Sequence, residues 1–183
     1  MLLVDDNPQA LDILSSIFQG FGVKEQIRCG SALEAVETLK RRAVDLILVD
    51  CAMPEMDGYD FARWLRRDTP SPFRATPLIM LTGHAELSKV HSSRDCGANF
   101  VVTKPLTPGV LLQRILWVAS EEREFIESAD YVGPDRRLHN LGPPLGEPGR
   151  RAGDLSAHVG EARDPNMDQS DIDMLIKPRR VAL

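Results

Sequence analysis

The chain has 183 residues, 43% of them hydrophobic, and a formal net charge of −5. This length suffices for one packed domain with an extension, and the acidic balance does not favour wholesale attraction to nucleic acid. Cys29, Cys51 and Cys96 lack metal-type spacing and are expected to be reduced thiols in a cytoplasmic protein. No apolar run approaches the roughly 20 residues needed to span a bilayer, so no membrane segment is expected.

Short apolar runs alternate with stretches of helical period up to about residue 126. In chain order, the first half predicts a strand at 2–4, a helix with Leu11, Leu14, Ile17 and Phe18 that ends at Gly20, a weaker strand at 23–28, a helix capped by Ser31, and a strand at 46–50. The second half predicts a helix with Phe61, Trp64 and Leu65, a strand at 77–82, a polar helix at about 85–95 ending at Gly97, a strand at 100–103, and a helix from about Pro108. This alternation predicts an α/β fold, a doubly wound five-stranded parallel sheet.

The predicted strands end on polar side chains. The apolar run 46–49 stops at Asp50, and the other strand ends carry Asp5, Asp6, Thr82 and Lys104. In a doubly wound sheet the functional crevice lies beyond the carboxyl ends of the strands. We therefore expect three carboxylates, a hydroxyl and an ammonium to share one small site.

These residue types in one crevice indicate phosphoryl chemistry. Close carboxylates repel one another unless a cation neutralises them, and Mg²⁺ prefers one or two carboxylates together with phosphate oxygens and water. Lys104 is suited to pairing with a carboxylate or a phosphoryl oxygen, and an Asp beside such a cation can form an aspartyl-phosphate.

Four segments carry a resemblance to a known family: LLVDDNP, LILVDCAMPEMDG, PLIMLTGHA and GANFVVTKPL. In order and spacing they resemble the receiver domain of two-component response regulators, including the single-domain chemotaxis type. The resemblance implies a flavodoxin-like sheet of strand order 2-1-3-4-5, with residues 1–127 as the receiver domain.

The same resemblance implies a role for each polar strand end. Asp50 would be the phosphoacceptor, and Asp5, Asp6 and Asp50 would bind Mg²⁺ together with the backbone carbonyl of Ala52. Thr82 and Lys104 would bind the phosphoryl oxygens. Val101 stands where the family usually has an aromatic switch residue, and strand alternation predicts that Phe100 points to the other face.

The implied function is that of a phosphorylation-controlled signalling switch, not an enzyme. A histidine kinase or phosphotransfer protein would donate the phosphoryl group, and an unidentified downstream protein would bind the face formed by helix four, strand five and helix five. No DNA-binding domain is predicted. A phosphorelay shuttle between histidine proteins needs the same site and stays an open alternative.

Residues 128–183 differ in composition from the preceding chain. They are rich in Gly and Pro, with arginine doublets at Arg136-Arg137, 150–151 and 179–180, and are predicted to form a mostly disordered, flexible tail. The segment YVGPDRRLHN resembles the arginine-rich extension of receivers that bind cyclic di-GMP, which would assign Tyr131, Asp135, Arg136 and Arg137 to a nucleotide. An inert linker is the alternative. Near the end, Ile172, Leu175 and Ile176 recur at helical spacing, which suits docking on a partner or on the receiver itself.

Overall fold

A computed structural model of the chain describes residues 1–68, 73–83, 87–120, 123–135 and Ile172. Its centre is a parallel sheet of five strands: β1 (Leu2–Val4), β2 (Ile27–Cys29), β3 (Ile47–Asp50), β4 (Leu78–Thr82) and β5 (Phe100–Thr103). The strand order is β2-β1-β3-β4-β5, which confirms the predicted α/β topology. Asp50 pairs with Leu81, and Thr82 pairs with Thr103, so the polar ends of these strands share one edge of the sheet.

Helices connect successive strands of this sheet. They are α1 (Pro8–Gly20), α2 (Ala32–Leu39), α3 (Gly58–Arg67), α4 (Leu87–Asp95) and α5 (Pro108–Ala119), with a 3₁₀ turn at Phe73–Ala75. Side-chain oxygens of the residues preceding four of them accept backbone N–H bonds: Asn7, Ser31, Asp57 and Thr107. The first helix was predicted to end at a capping Gly20, but Gly20 is its last residue. Gly22 instead adopts the left-handed backbone, with φ of 82°.

The sheet separates two apolar layers. Adjacent residues of β1 and β3 enter different layers, as strand alternation requires. Leu2 and Ile47 pack with α2 and α3, whereas Leu3 and Leu48 pack with α1 and α5. The strands β1, β3 and β4 are buried on both faces, which explains why each is an almost unbroken apolar run in the sequence.

An antiparallel hairpin follows α5. It consists of β6 (Phe125–Glu127) and β7 (Val132–Pro134). The hydroxyl of the buried Tyr131 donates to the Pro134 carbonyl oxygen at 2.6 Å, which fixes the turn side of the hairpin. The predicted boundary after residue 127 therefore falls inside an ordered unit that continues to Asp135. Apart from Ile172, residues 136–183 lie outside the described residues, so tail disorder stays a prediction.

Arg66 of α3 fastens this hairpin to the domain. Its side chain is 1% exposed, and the guanidinium donates to the carbonyl oxygens of Gly97 at 2.9 Å and Thr76 at 2.8 Å, to that of Arg74, and to Asn99 Oδ1 at 3.0 Å. The Phe125 ring centroid lies 5.5 Å from its central carbon. Burial lowers the pKa of Arg66 to about 10, so the group stays charged at neutral pH.

Gly97 completes this junction. Its φ of 94° lies in the left-handed region, and a Cβ there would stand 2.7 Å from the Val132 carbonyl oxygen and 2.8 Å from Arg66 Cγ. The hairpin therefore packs directly on the turn between α4 and β5. This turn lies at the amino end of β5, away from the polar carboxyl ends of the strands.

Candidate functional site

The carboxyl ends of the strands bring together the side chains that the sequence singled out. Asp5 directly follows β1 and is 1% exposed, and Asp50 ends β3 and is 6% exposed. Thr82 is buried at the end of β4, and its carbonyl oxygen accepts from the backbone N–H of Lys104 at 2.7 Å. The Lys104–Pro105 peptide bond is cis. Asp6 differs from the others because it is exposed.

Lys104 bridges the two buried carboxylates. Its Nζ lies 2.5 Å from Asp50 Oδ1 and 2.9 Å from Asp5 Oδ2. The second oxygen of each acid accepts a backbone N–H: Asp50 Oδ2 from Ala52 at 2.7 Å, and Asp5 Oδ1 from Asn7 at 2.9 Å. Each carboxylate is therefore held at both oxygens, with its direction fixed before any ligand arrives.

Burial and charge oppose each other at Asp50. Burial raises the pKa of Asp50, the hydrogen bond and charge of Lys104 lower it, the N–H of Ala52 lowers it further, and the charge of Asp5 raises it; the result is a raised pKa. The folded chain thus holds this proton more tightly than the unfolded chain. Folding stability from this group is present at low pH and declines as the pH rises through its raised pKa.

Burial and charge also oppose each other at Lys104, but here the charge interactions dominate. Burial lowers the pKa of Lys104, but its hydrogen bonds and charge interactions with Asp5 and Asp50 together outweigh burial and raise it. The ammonium is therefore charged at neutral pH, and the pocket holds one fixed cation between two acids. An additional cation or an incoming anion would each change this balance.

The loop after Asp50 is folded back onto the end of its own strand. The backbone N–H of Gly58 donates to the Cys51 carbonyl oxygen at 3.1 Å. A Cβ on Gly58 would overlap the Asp50 carbonyl oxygen and stand 2.9 Å from Cys51 Cα. Glu55 inside the loop has φ of 67°, a left-handed conformation that closes the turn. The absence of a side chain at Gly58 is thus what allows α3 to begin beside Asp50.

Gly58→Ala is expected to destabilise the fold by about 2–4 kcal/mol, because the new methyl group must displace backbone on both sides. Urea unfolding followed by circular dichroism measures the change. Gly109→Ala is the matched control, since a Cβ on Gly109 of α5 would meet nothing within 4 Å. A loss for Gly58→Ala no larger than that for Gly109→Ala would contradict the close packing described above.

The acidic crevice offers Mg²⁺ two carboxylates. Within the described part of the chain, no three His, Cys, Asp or Glu side chains gather closely enough to hold a metal ion. Asp5 and Asp50 nevertheless converge on one cation, the Lys104 ammonium, and two carboxylates are sufficient for Mg²⁺, which retains waters and takes phosphate oxygens. Asp5 and Asp50 therefore suit Mg²⁺ as its two acidic ligands, and the exposed Asp6 does not form a three-acid cluster with them.

Two of the four residues predicted to bind cyclic di-GMP, Tyr131 and Asp135, lie within the described structure. Tyr131 is buried with its hydroxyl bonded inside the hairpin, and the backbone N–H of Asp135 donates to the Glu124 carbonyl oxygen at 2.8 Å. Arg136 and Arg137 lie outside the described residues. The YVGPD segment therefore folds the hairpin, and its tyrosine is not presented to a ligand.

The strand-five positions agree with the alternation argument. Phe100 pairs with Ile79, and its ring packs edge-on against Trp117 of α5 with centroids 4.9 Å apart. Val101 pairs with Met80 and is also buried. Phe100 is thus fixed in the α5 layer and does not replace the missing aromatic group at position 101.

Residues 1–116 match the response regulator receiver domain. The chain belongs to the response-regulator receiver family. Domains of this family are signalling switches that act with histidine kinases in two-component systems, and are not enzymes in the usual sense. None of the helices in the described ranges is long and apolar enough to cross a membrane.

Individual relatives agree with this assignment. Chemotaxis protein CheY1 of Helicobacter pylori is 31% identical over 116 residues, which are 63% of this chain and 92% of that protein. The DNA-binding response regulator MtrA of Mycolicibacterium smegmatis is 30% identical over 115 residues, 63% of this chain but 48% of MtrA, so this receiver chain spans about half the length of that relative. A crystal structure of the receiver domain of a Pseudomonas aeruginosa sensor histidine kinase, with magnesium coordinated in its active-site cleft, is similar with a TM-score of 0.57. Its sequence identity is 31%, over 65% of this chain and 96% of that one.

Two features of this receiver escaped sequence reasoning. Arg66 is a charged residue that the sequence analysis did not single out, yet it is buried and bonded to residues up to 33 positions away. The β6–β7 hairpin lies beyond residue 116, where the family match ends. The available signal was local: Tyr131 and Phe125 are bulky apolar residues close to a stretch otherwise rich in Gly and Pro.

Proposed function

We propose that this receiver accepts a phosphoryl group on Asp50 from a histidine kinase or phosphotransfer protein, with Mg²⁺, and thereby changes its affinity for a downstream protein. One observation carries the proposal. Asp50 is a buried carboxylate, held at the end of β3 by Lys104 at 2.5 Å, and it shares that lysine with Asp5. A structural ion pair would not require a second acid at the same ammonium.

The chemistry follows from these positions. A carboxylate oxygen of Asp50 attacks the phosphorus atom, an acyl-phosphate O–P bond forms, and the N–P bond to the donor imidazole breaks, leaving a neutral imidazole after proton uptake. Asp5, Asp50 and the Ala52 carbonyl would hold Mg²⁺, which when bound supplies positive charge for the phosphoryl oxygens. Lys104 pairs with one of those oxygens, and the Thr82 hydroxyl donates to another.

The response is proposed to pass through β4 and β5. Thr82 is the last residue of β4, and Lys104 directly follows β5. The backbone N–H of Lys104 already donates to the Thr82 carbonyl oxygen. A new anion drawing on both side chains would bias the α4–β5–α5 face between two arrangements, and a partner selects one of them. The buried aliphatic Val101 would move with this face in place of an aromatic ring.

Lys104→Ala separates phosphoryl acceptance from the response. We expect the variant to incorporate phosphoryl from acetyl phosphate within about threefold of the wild type, because the attacking oxygen and both acids remain. We expect phosphorylation to leave its hydrogen exchange in β5 and α5 unchanged, since the link from phosphoryl group to β5 is lost. Intact-protein mass spectrometry measures the incorporation, and hydrogen-exchange mass spectrometry with and without acetyl phosphate measures the response.

Lys40→Ala is the control for this variant, because Lys40 is an exposed lysine paired only locally with Glu37 at 2.6 Å. Its exchange should respond to phosphorylation as the wild type does. A normal response from Lys104→Ala would refute the signalling role of this lysine.

A phosphorelay shuttle uses the same acceptor and remains the second reading of this proposal. Return of the phosphoryl group from Asp50 to a purified phosphotransfer protein would favour it, whereas retention until hydrolysis would favour an effector. Cyclic di-GMP as the main input finds no support in the described residues, since the Tyr131 hydroxyl is already bonded to Pro134.

A further inference from the structure

Ile172 is far from the receiver domain in sequence but lies in its core. The residue is helical, 0% exposed, and belongs to the buried cluster of the α1/α5 layer. Asp135 and Ile172 are separated by 36 residues. A random coil of roughly that length has an end-to-end distance of about 30–35 Å, so the sequence separation is long enough for a return to the domain. The chain therefore folds back on the receiver at this point.

The cluster to which Val101 belongs bears on where in that layer Ile172 packs. Val101 pairs with Met80, and alternation places both on the α2/α3 side of the sheet, yet Val101 belongs to the α1/α5 cluster together with Ile172. Since β5 is the edge strand, apolar contact can pass from one layer to the other around its open side. A segment packed against the open edge of β5 would contact both Val101 and the α5 layer.

The adjoining side of α5 carries a buried cation. Leu111, Arg114 and Val118 form its buried stripe, and Arg114 is 3% exposed, with its guanidinium carbon 5.1 Å from the Phe100 ring centroid. In the sequence Ile172 is flanked by Asp171 and Asp173. An apolar anchor between two acids is complementary to an apolar strand edge beside a buried guanidinium.

We propose that the segment around Ile172 docks on the surface formed by Val101, Phe100, Leu111 and Arg114, with Ile172 as its apolar anchor and with the charge of its acidic neighbours in the sequence complementary to Arg114. The occupant is this chain's own segment around Ile172, in which Ile172, Leu175 and Ile176 recur at a sequence spacing that suits a one-sided contact. Leu175 and Ile176 lie outside the described residues.

The docked segment would cover part of the α4–β5–α5 face. If that face binds a downstream protein, as proposed above, the segment and the partner compete, and the partner surface should itself present an apolar residue flanked by acids. This consequence rests on the proposed function. The docking itself does not depend on the proposed function, because the experiment that tests it uses no phosphoryl donor.

The test is hydrogen exchange of the full-length chain carrying Ile172→Asp. We expect exchange to rise at least about fivefold in peptides covering β5 and α5, while peptides covering β1 and β3 keep their protection. Val181→Asp introduces the same charge beyond the apolar repeat and should leave all of these peptides unchanged. Asp171→Asn combined with Asp173→Asn should raise the exchange of β5 and α5 by a smaller factor than Ile172→Asp does. In a chain that already carries Arg114→Gln, the same two substitutions should cause no further rise.

Unchanged exchange of β5 and α5 in Ile172→Asp would overturn the proposal. Should that variant lose protection in every peptide, Ile172→Ala decides: a rise confined to β5 and α5 supports docking at this surface, and a uniform rise overturns it. Phosphoryl incorporation at Asp50 is measured separately on the same variants, so loss of one claim is distinguishable from loss of the other.

Discussion

Asp50→Asn is expected to lower phosphoryl incorporation from acetyl phosphate by at least about a hundredfold, because an amide lacks the anionic oxygen that attacks phosphorus. The substitution keeps the shape of the side chain, so the buried position at the end of β3 should be retained. Intact-protein mass spectrometry after incubation with acetyl phosphate and Mg²⁺ measures incorporation directly. Removal of Mg²⁺ with a chelator should abolish labelling of the wild type as well.

Asp45→Asn is the matched control for this experiment. Asp45 is an exposed acid just before the same strand, and its loss should leave labelling at the wild-type level. Full labelling of the Asp50→Asn chain would sink the assignment of the acceptor. Equal losses in both variants would point to a general effect of charge and not to a nucleophile at position 50.

Arg66→Ala is expected to lower the free energy of unfolding by about 3–5 kcal/mol, which is large for a residue remote from the acidic crevice. The variant removes the donor of the Gly97 and Thr76 carbonyl oxygens, and it opens a cavity against Phe125. Asn99 Oδ1 loses one of its two donors and keeps the backbone N–H of Leu78 at 2.9 Å. Urea unfolding of the full chain gives the value. Arg66→Lys should recover only a minor part, because an ammonium cannot reach oxygens spread around a planar guanidinium.

Arg67→Ala supplies the comparison. Arg67 is the next residue of α3, is exposed, and makes a single 3.1 Å bond to the Asp130 carbonyl oxygen of the same hairpin. Its removal should cost about 0.5–1 kcal/mol. Similar costs for the two arginines would mean that burial of Arg66 does not hold the hairpin and the α4–β5 turn together.

The acidic crevice could be predicted because it depends on short-range sequence order. Each candidate residue stands at or just after the end of its own apolar run, and parallel strands place their carboxyl ends at one edge of the sheet. The proximity of Asp5, Asp50 and Lys104 can therefore be predicted without knowing how the side chains pack. Asp6 shows the limit of this argument. It is adjacent to Asp5 in sequence, but the two side chains differ in exposure, and only Asp5 reaches Lys104.

The junction at Arg66 could not be predicted for the opposite reason. Its hydrogen-bond partners come from two separate parts of the chain, residues 74–76 and 97–99, and three of the four are backbone carbonyl groups that carry no side-chain signal. Tyr131 shows a related limit: a tyrosine beside arginines suits a nucleotide, yet its hydroxyl donates to a carbonyl group three residues away. Composition alone does not separate a short hairpin from a flexible tail.

Locating the phosphoryl group tests the central claim most directly. The chain is phosphorylated with acetyl phosphate and Mg²⁺, the acyl phosphate is reduced with borohydride, and the modified residue is identified by peptide mass spectrometry. The account predicts a single modified residue, Asp50. Modification of Asp45 or Asp57 with Asp50 unmodified, or no modification at all under conditions that label a known receiver, would contradict it.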